Sequence, residues 1–464
     1  MKPVDNANIS HAATVAVNRF GIGAKPGELV TASTDPQGWV MKSLAPISFE
    51  SSRSPTSSQI LIKLADIRQL RKKRQALLDA GKLEDSAEIP EELMDPAGNY
   101  FQSTYRQIAT DTFNQALASD SGVSWRLLDF FSNHFSVSAS SQGMTALAAT
   151  LEREAIAPHL LGSFTDMLIA VCQHPAMLIY LNNEKSFGPN SIFVQHGRLG
   201  LNENLAREIL ELHTLGVDGG YTQQDVVELA KGITGWSVKK PVDESSKGFK
   251  YRSYGHEPGA RVLLGKQYSQ KGMHQGLAML ADLAAHPSTA KFITHKLAVH
   301  FVSDKPSKAL LESLEKRWLN TNGNIREVME ALVNHPEAWQ QQTRKYKSPR
   351  DFVYSALRGL DVKSIKQGQY FATMRSLGQA PFKAGSPAGF GDVQQTWDGA
   401  SALMARIEWS SELAQRAQET DPETLMTTSL GSAISHDTFT HVSRAESRDV
   451  AMTIMLMSPE FQRR

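Results

Sequence analysis

The stretch Asn202-Glu-Asn-Leu-Ala-Arg-Glu-Ile-Leu-Glu-Leu-His-Thr-Leu-Gly216 decides how the chain folds. At a helical turn of about 100° per residue, Glu203, Asn204, Arg207, Glu208 and Glu211 fall within about 140° of arc, while Leu205, Ala206, Ile209, Leu210 and Leu212 take the other side. An amphipathic helix over 203–215 follows. Asn202 caps it, Glu203 suits its positive start, and Gly216 stops it. Beyond the glycine, Val217-Asp-Gly-Gly-Tyr reads as a tight turn, and Thr222 with Asp225 forms a capping arrangement for the next helix.

The helical period recurs over 125–134, 146–155, 160–173, 223–234, 273–285, 288–302, 325–334, 349–360 and 400–418. Three of these segments run into His-Pro, at His174-Pro175, His286-Pro287 and His335-Pro336. Proline suits the first position of a helix, and the residue before it is pushed out of the α region, so each histidine reads as a helix cap rather than a metal ligand. Only 237–270 changes character: Phe249-Lys-Tyr251 alternates, and Val262 to Tyr268 follows a turn-rich spacer. The expected fold is mainly α, a large multi-helix, bundle-like protein with one small β-hairpin insertion near 249–268. The divisions expected are an N-terminal helical region, 1–100, with Ser/Pro-rich and acidic loops; a central helical core, 101–236; the hairpin insertion, 237–270; and a C-terminal helical region, 271–464, packed with the core. The loops at 182–201 and 379–398 are the expected rims of a pocket, because structureless stretches of that length inside a compact fold are often functional.

Composition removes several classes. With 49 Lys and Arg against 48 Asp and Glu in 464 residues, no general field draws in a polyanion, and Arg71-Lys72-Lys73-Arg74 is the longest basic run, so nucleic acid is not an expected partner. The single cysteine, Cys172, lies in an apolar run and reads as a buried, inert thiol. No stretch reaches the ~18 apolar residues of a membrane span, and the start of the chain lacks the apolar core of a secretory signal. The expectation is a cytoplasmic protein, with a periplasmic or secreted one left open if a signal has been trimmed. Gly-x-Ser-x-Gly, the phosphate-binding Gly-x4-Gly-Lys-Ser/Thr and the dinucleotide Gly-x-Gly-x-x-Gly are all missing, as are Glu-x-x-His and His-Glu-x-x-His. No motif implies a cofactor or a metal.

Several strings resemble the signature of the bacterial domain-of-unknown-function 1800 family. They are Asn202 to Asp225 with Thr234-Gly-Trp236, Asn18-Arg-Phe-Gly21, Asn133-His-Phe135, His174-Pro-Ala-Met-Leu178, His256-Glu-Pro-Gly259 and Ser458-Pro-Glu-Phe461. They run in the family's order along nearly the whole chain. Departures are Phe131 and Phe390, where the family pattern has tryptophan, and Ala157, where it has arginine. The resemblance implies a helical fold and no established reaction. It also implies a genomic companion of the domain-of-unknown-function 1501 type, similar to sulfatases and alkaline phosphatases, as a partner.

Two readings of the polar helix face stand side by side. In the first, the face points inward and walls a polar pocket in an enzyme or ligand-binding protein. Glu208, Glu211 and His134 are then the catalytic candidates. Asn204, Arg207, Arg153, His213, Trp236 and His256 would contact a glycan or another polar or anionic small molecule, with Trp236 as a stacking platform. In the second, the same residues join helices in a non-catalytic scaffold or a partner protein for the sulfatase-like or phosphatase-like companion.

Overall fold

A computed structural model describes residues 9–49, 53–81, 97–194, 200–239, 248–340 and 345–464. Most of the acidic stretch expected as a loop at 80–98 lies outside these. Helices dominate, and those of ten or more residues among the described residues are α1 Ser57–Asp79, α2 Ala97–Ala118, α3 Gly122–His134, α4 Phe164–Gln173, α5 Gln223–Gly232, α6 Met273–Ala285, α7 Pro287–Phe301, α8 Lys308–Asn320, α9 Ile325–Asn334, α10 Pro349–Gly359, α11 Gln367–Ser376, α12 Ala400–Arg416 and α13 Arg448–Met457. The chain is mainly α, as its periodicity predicts. No helix among the described residues is long and apolar enough to cross a membrane.

Local chemistry sets the helix starts. Nδ1 of His174, His286 and His335 each accepts the backbone N–H two residues on, at 3.2, 3.1 and 3.3 Å, with proline at the first helical position. Thr222 and Asp225 form a reciprocal capping box at α5. The larger of two apolar clusters among the described residues runs from Val15 to Phe461 and takes in the buried faces of α3, α4, α6, α7, α9 and α10. Cys172 is buried within it.

Two details differ from the expectation. The strands form two ladders: β1 Trp236–Val238 pairs antiparallel with β2 Phe249–Tyr251, and β3 Arg261–Leu263 with β4 Lys266–Tyr268. Phe249–Tyr251 thus finds its partner upstream, at Trp236, rather than in Val262–Tyr268. The latter closes on itself through Leu264 and Gly265, both at positive φ, which makes a two-residue turn between β3 and β4. The predicted helix 203–215 divides into an α turn, Asn204–Glu208, and a π turn, Ile209–His213. Asn202 still serves its start, its Oδ1 accepting the N–H of Asn204 at 3.0 Å.

Candidate functional site

The richest convergence of ionisable groups lies in a cavity of about 90 Å3 between α3, α7, α10, α11 and the loop that follows α11. Residues spaced three and four apart share one helix face, so α3 presents Asp129, Ser132 and Asn133 together. Glu152 enters from a π turn, Glu152–Ile156, in which each turn holds an extra residue; such turns recur at functional sites. Arg350 and Asp351 occupy the first turn of α10, where Ser348 is the cap and Pro349 the first residue. The loop after α11 is pinned reciprocally: Nδ2 of Asn133 donates to the carbonyl of Phe390 at 2.9 Å, and the Phe390 N–H donates to Oδ1 of Asn133 at 2.8 Å. Gly389 sits at φ 81° with room for no side chain, since a Cβ would come within 2.4 Å of the Asn133 carbonyl oxygen. The late loop therefore forms a wall of the cavity, as its length suggests.

Charge is distributed unevenly around this space. Nη2 of Arg350 stands 3.0 Å from Oδ1 of Asp129. Burial nevertheless pushes the Asp129 carboxyl up to about 7, because the Glu152 and Asp351 charges oppose the pull of Arg350. Burial also raises Glu152, which accepts a hydrogen bond from Oγ of Ser132 at 2.9 Å. The two carboxyls thus differ in surroundings while facing one guanidinium. His300, from the last turn of α7, donates from Nδ1 to Oδ2 of Asp392 at 2.7 Å. Burial lowers its proton affinity against the pull of Asp392, so the ring is neutral near pH 7 and Nε2 carries the lone pair. That Nε2 has no hydrogen-bond partner among the described residues. A carboxylate-oriented imidazole with one open nitrogen is the usual arrangement of a general base. Among the described residues no three His, Cys, Asp or Glu side chains group as metal ligands.

The residues singled out from sequence fall in five places. His134 and His213 do meet, ring centroids 6.2 Å apart, and both are buried. Nε2 of His134 faces the His213 carbonyl oxygen at 3.2 Å, so that nitrogen carries the proton and Nδ1 accepts from Nζ of Lys296 at 3.0 Å. Glu208 and Glu211 do not join them. Leu205, Ala206, Ile209 and Leu210 claim the core side of the helix, and this leaves Asn204 exposed and Arg207, Glu208 and Glu211 part-exposed. Arg207 pairs with Glu203 at 3.0 Å and Gln223 at 2.9 Å along the surface. The inward-facing polar helix is thus corrected: its apolar stripe wins the interior. Arg153 is taken up by Asp111 at 3.2 Å and by the Phe49 ring at 4.4 Å. Trp236 cannot be a stacking platform, because it is fully buried against Phe249. His256 is held by Thr234, whose carbonyl oxygen lies 3.1 Å from Nδ1.

The exposed position makes a first expectation for the helix. Glu208→Gln with Glu211→Gln should change the urea midpoint by less than the equivalent of about 0.5 kcal/mol, since part-exposed charges contribute little. A loss of several kcal/mol would show that the face is buried after all.

Sequence reasoning passed over Asp129, Glu152, Arg350, His300 and Asp392. The one local signal was Asp129 itself, an acid set between Leu127-Leu128 and Phe130-Phe131 in a strongly apolar helix. The model of the family described as "Protein of unknown function (DUF1800)" matches residues 15–463. The chain belongs to the DUF1800 family. No curated protein and no solved structure gives a match. The DUF1800 match spans the cavity-lining segments from α3 to the late loop and so includes every residue of the candidate site.

Proposed function

We propose that this DUF1800 protein is an enzyme that performs proton-transfer chemistry on one small polar group of its substrate, held in the cavity between α3 and α10. The convergence of Asp129, Glu152, Arg350 and the His300–Asp392 pair on one space carries this reading. Two carboxyls in different surroundings, Asp129 beside Arg350 and Glu152 accepting from Ser132, divide the work of acid and base. Asp129 is the proton donor, Glu152 or His300 the acceptor, and Arg350 the anchor for an oxygen-bearing group. At about 90 Å3 the cavity is far smaller than the ~300–1,000 Å3 of sites that enclose a small-molecule ligand, so it takes one functional group and most of the substrate must lie outside it. A glycan or another polar molecule that inserts one substituent fits that limit. The sulfatase-like or phosphatase-like companion implied by the family resemblance, proposed here as a partner, makes sulfate and phosphate esters the first compounds to try.

The test is a thermal-shift screen of oligosaccharides and of sulfate and phosphate monoesters, run on the wild type and on Asp129→Asn. The expected result is a compound that raises the melting temperature of the wild type and fails on the variant, with a pH dependence centred near 7 that the variant lacks. A stabilising compound indifferent to Asp129→Asn, Glu152→Gln and Arg350→Lys would overturn the assignment. The second reading, a non-catalytic scaffold or partner protein, is favoured by the ion network behind the cavity, where Asp351 joins Arg126 and Arg464. Under that reading the same variants alter stability and no compound in the screen binds.

A further inference from the structure

We infer a second site, for a phosphate- or sulfate-bearing ligand, in the groove between α1 and the β1–β2 ladder. This groove shares no lining residue with the cavity of Asp129 and has a volume of about 660 Å3, within the range of small-molecule sites. Arg68 and Lys72, four residues apart on α1, share one wall. Lys185, Lys239 and Arg252 contribute to the other. Five cationic side chains therefore line a groove whose sole lining carboxylate among the described residues is Glu184.

Among the described residues the cations are poorly matched. Lys185 lies 3.5 Å from Glu184, whose own carboxyl is raised by burial. Among the described residues Arg252 hydrogen-bonds only to the carbonyl oxygens of Glu184 and Val238, each at 3.4 Å, longer than a good hydrogen bond, while its charge also acts on the Glu184 carboxyl. Arg68, Lys72 and Lys239 have no ion-pair partner among the described residues. In a protein whose formal net charge is +1, this is a local concentration rather than a general excess, and the like charges repel one another until an anion enters. Phosphate and sulfate groups answer it best, because several oxygens can each accept from guanidinium and ammonium donors. The rest of the described lining mixes aliphatic residues, among them Leu61, Ile179 and Val238, with the polar Gln69, Ser141 and Asn182, and holds no aromatic ring among the described residues. The described lining therefore offers no stacking platform for sugars or bases, and charge, with hydrogen bonds from Gln69, Ser141 and Asn182, selects the ligand.

Calorimetric titration of the full chain with sodium tripolyphosphate and with a heparin-derived hexasaccharide tests this, at about 50 mM salt where such contacts are strong. The variant is Arg68→Gln with Lys72→Gln, both exposed on α1; the control is Lys308→Gln with Lys316→Gln, both exposed on α8, which removes the same charge elsewhere. The expected result is binding of one or both probes by the wild type, weakened about tenfold or more in the groove variant and within about twofold in the control. Tripolyphosphate alone would assign a phosphate ligand, and the hexasaccharide alone a sulfated glycan. Equal losses in variant and control would overturn the site, as would failure of both probes. Tighter binding of oligothymidylate than of either probe would overturn it in favour of nucleic acid.

Discussion

Asp351→Asn is expected to destabilise the protein by about 3–5 kcal/mol, read as a fall in the urea midpoint at unchanged slope. Asp351 sits in the first turn of α10, almost fully buried, with Oδ1 2.9 Å from Nη1 of Arg126 and Oδ2 3.1 Å from Nε of Arg464. Burial by itself would raise its proton affinity. Arg126 and Arg464 outweigh that and hold the carboxyl well below the usual range. The amide keeps an acceptor but not the charge, which leaves two guanidinium groups and the nearby Lys347 without their shared counter-ion. The sign with pH follows. A depressed carboxyl stabilises the fold above its unfolded value, near 3.9, and that stabilisation is lost as pH falls towards the lower native value. The wild type should therefore lose its advantage over the variant in acid. A midpoint shift no larger than that of Glu208→Gln with Glu211→Gln would mean that the network does not hold these elements together.

Lys296→Met is expected to act in the opposite direction, stabilising the protein by about 1–2 kcal/mol at pH 7. Burial drives the Lys296 ammonium down to about 8, with only a weak opposing pull from Asp392. Its hydrogen-bond partner, His134, is neutral, and burial holds that imidazole well below its ordinary value. A base with a depressed native value costs most where it is charged in both states. The stability of the wild type should thus rise between about pH 8 and pH 10.4, by up to about 3 kcal/mol from this group. Methionine removes the charge and keeps the length. It leaves Nδ1 of His134 without a donor, which costs part of the gain. Urea midpoints at pH 7 and pH 10 check this, with the variant leading at the lower pH and the two converging at the higher. Destabilisation at pH 7 would show that the ammonium is compensated in the native protein.

The parts of the structure legible in the sequence share a short range. Met273–Ala285 and Ile325–Asn334 keep the predicted bounds, because a 3.6-residue apolar repeat and, for the second, the Asn324 cap are written locally. The His-Pro starts and the Thr222/Asp225 box belong to the same class. The helix at 203–215 shows where that range ends. Its two faces can be drawn from the sequence, but which one faces the interior depends on what packs against it.

The candidate cavity lies beyond such reading for the same reason. Asp129 meets Arg350, and Arg126 meets Asp351 across 225 residues of sequence, and no periodicity or motif marks either pair. Nor can burial be read from one helix, and burial is what pushes Asp129 up. The sequence by itself determined that the chain is helical, where the helices opened by His-Pro and by Thr222 begin, and which family it belongs to, since these rest on contacts between near neighbours and on strings of residues. Only the tertiary structure decided which charges are withdrawn from water and set against one another, because desolvation and pairing arise when distant segments close over the same space.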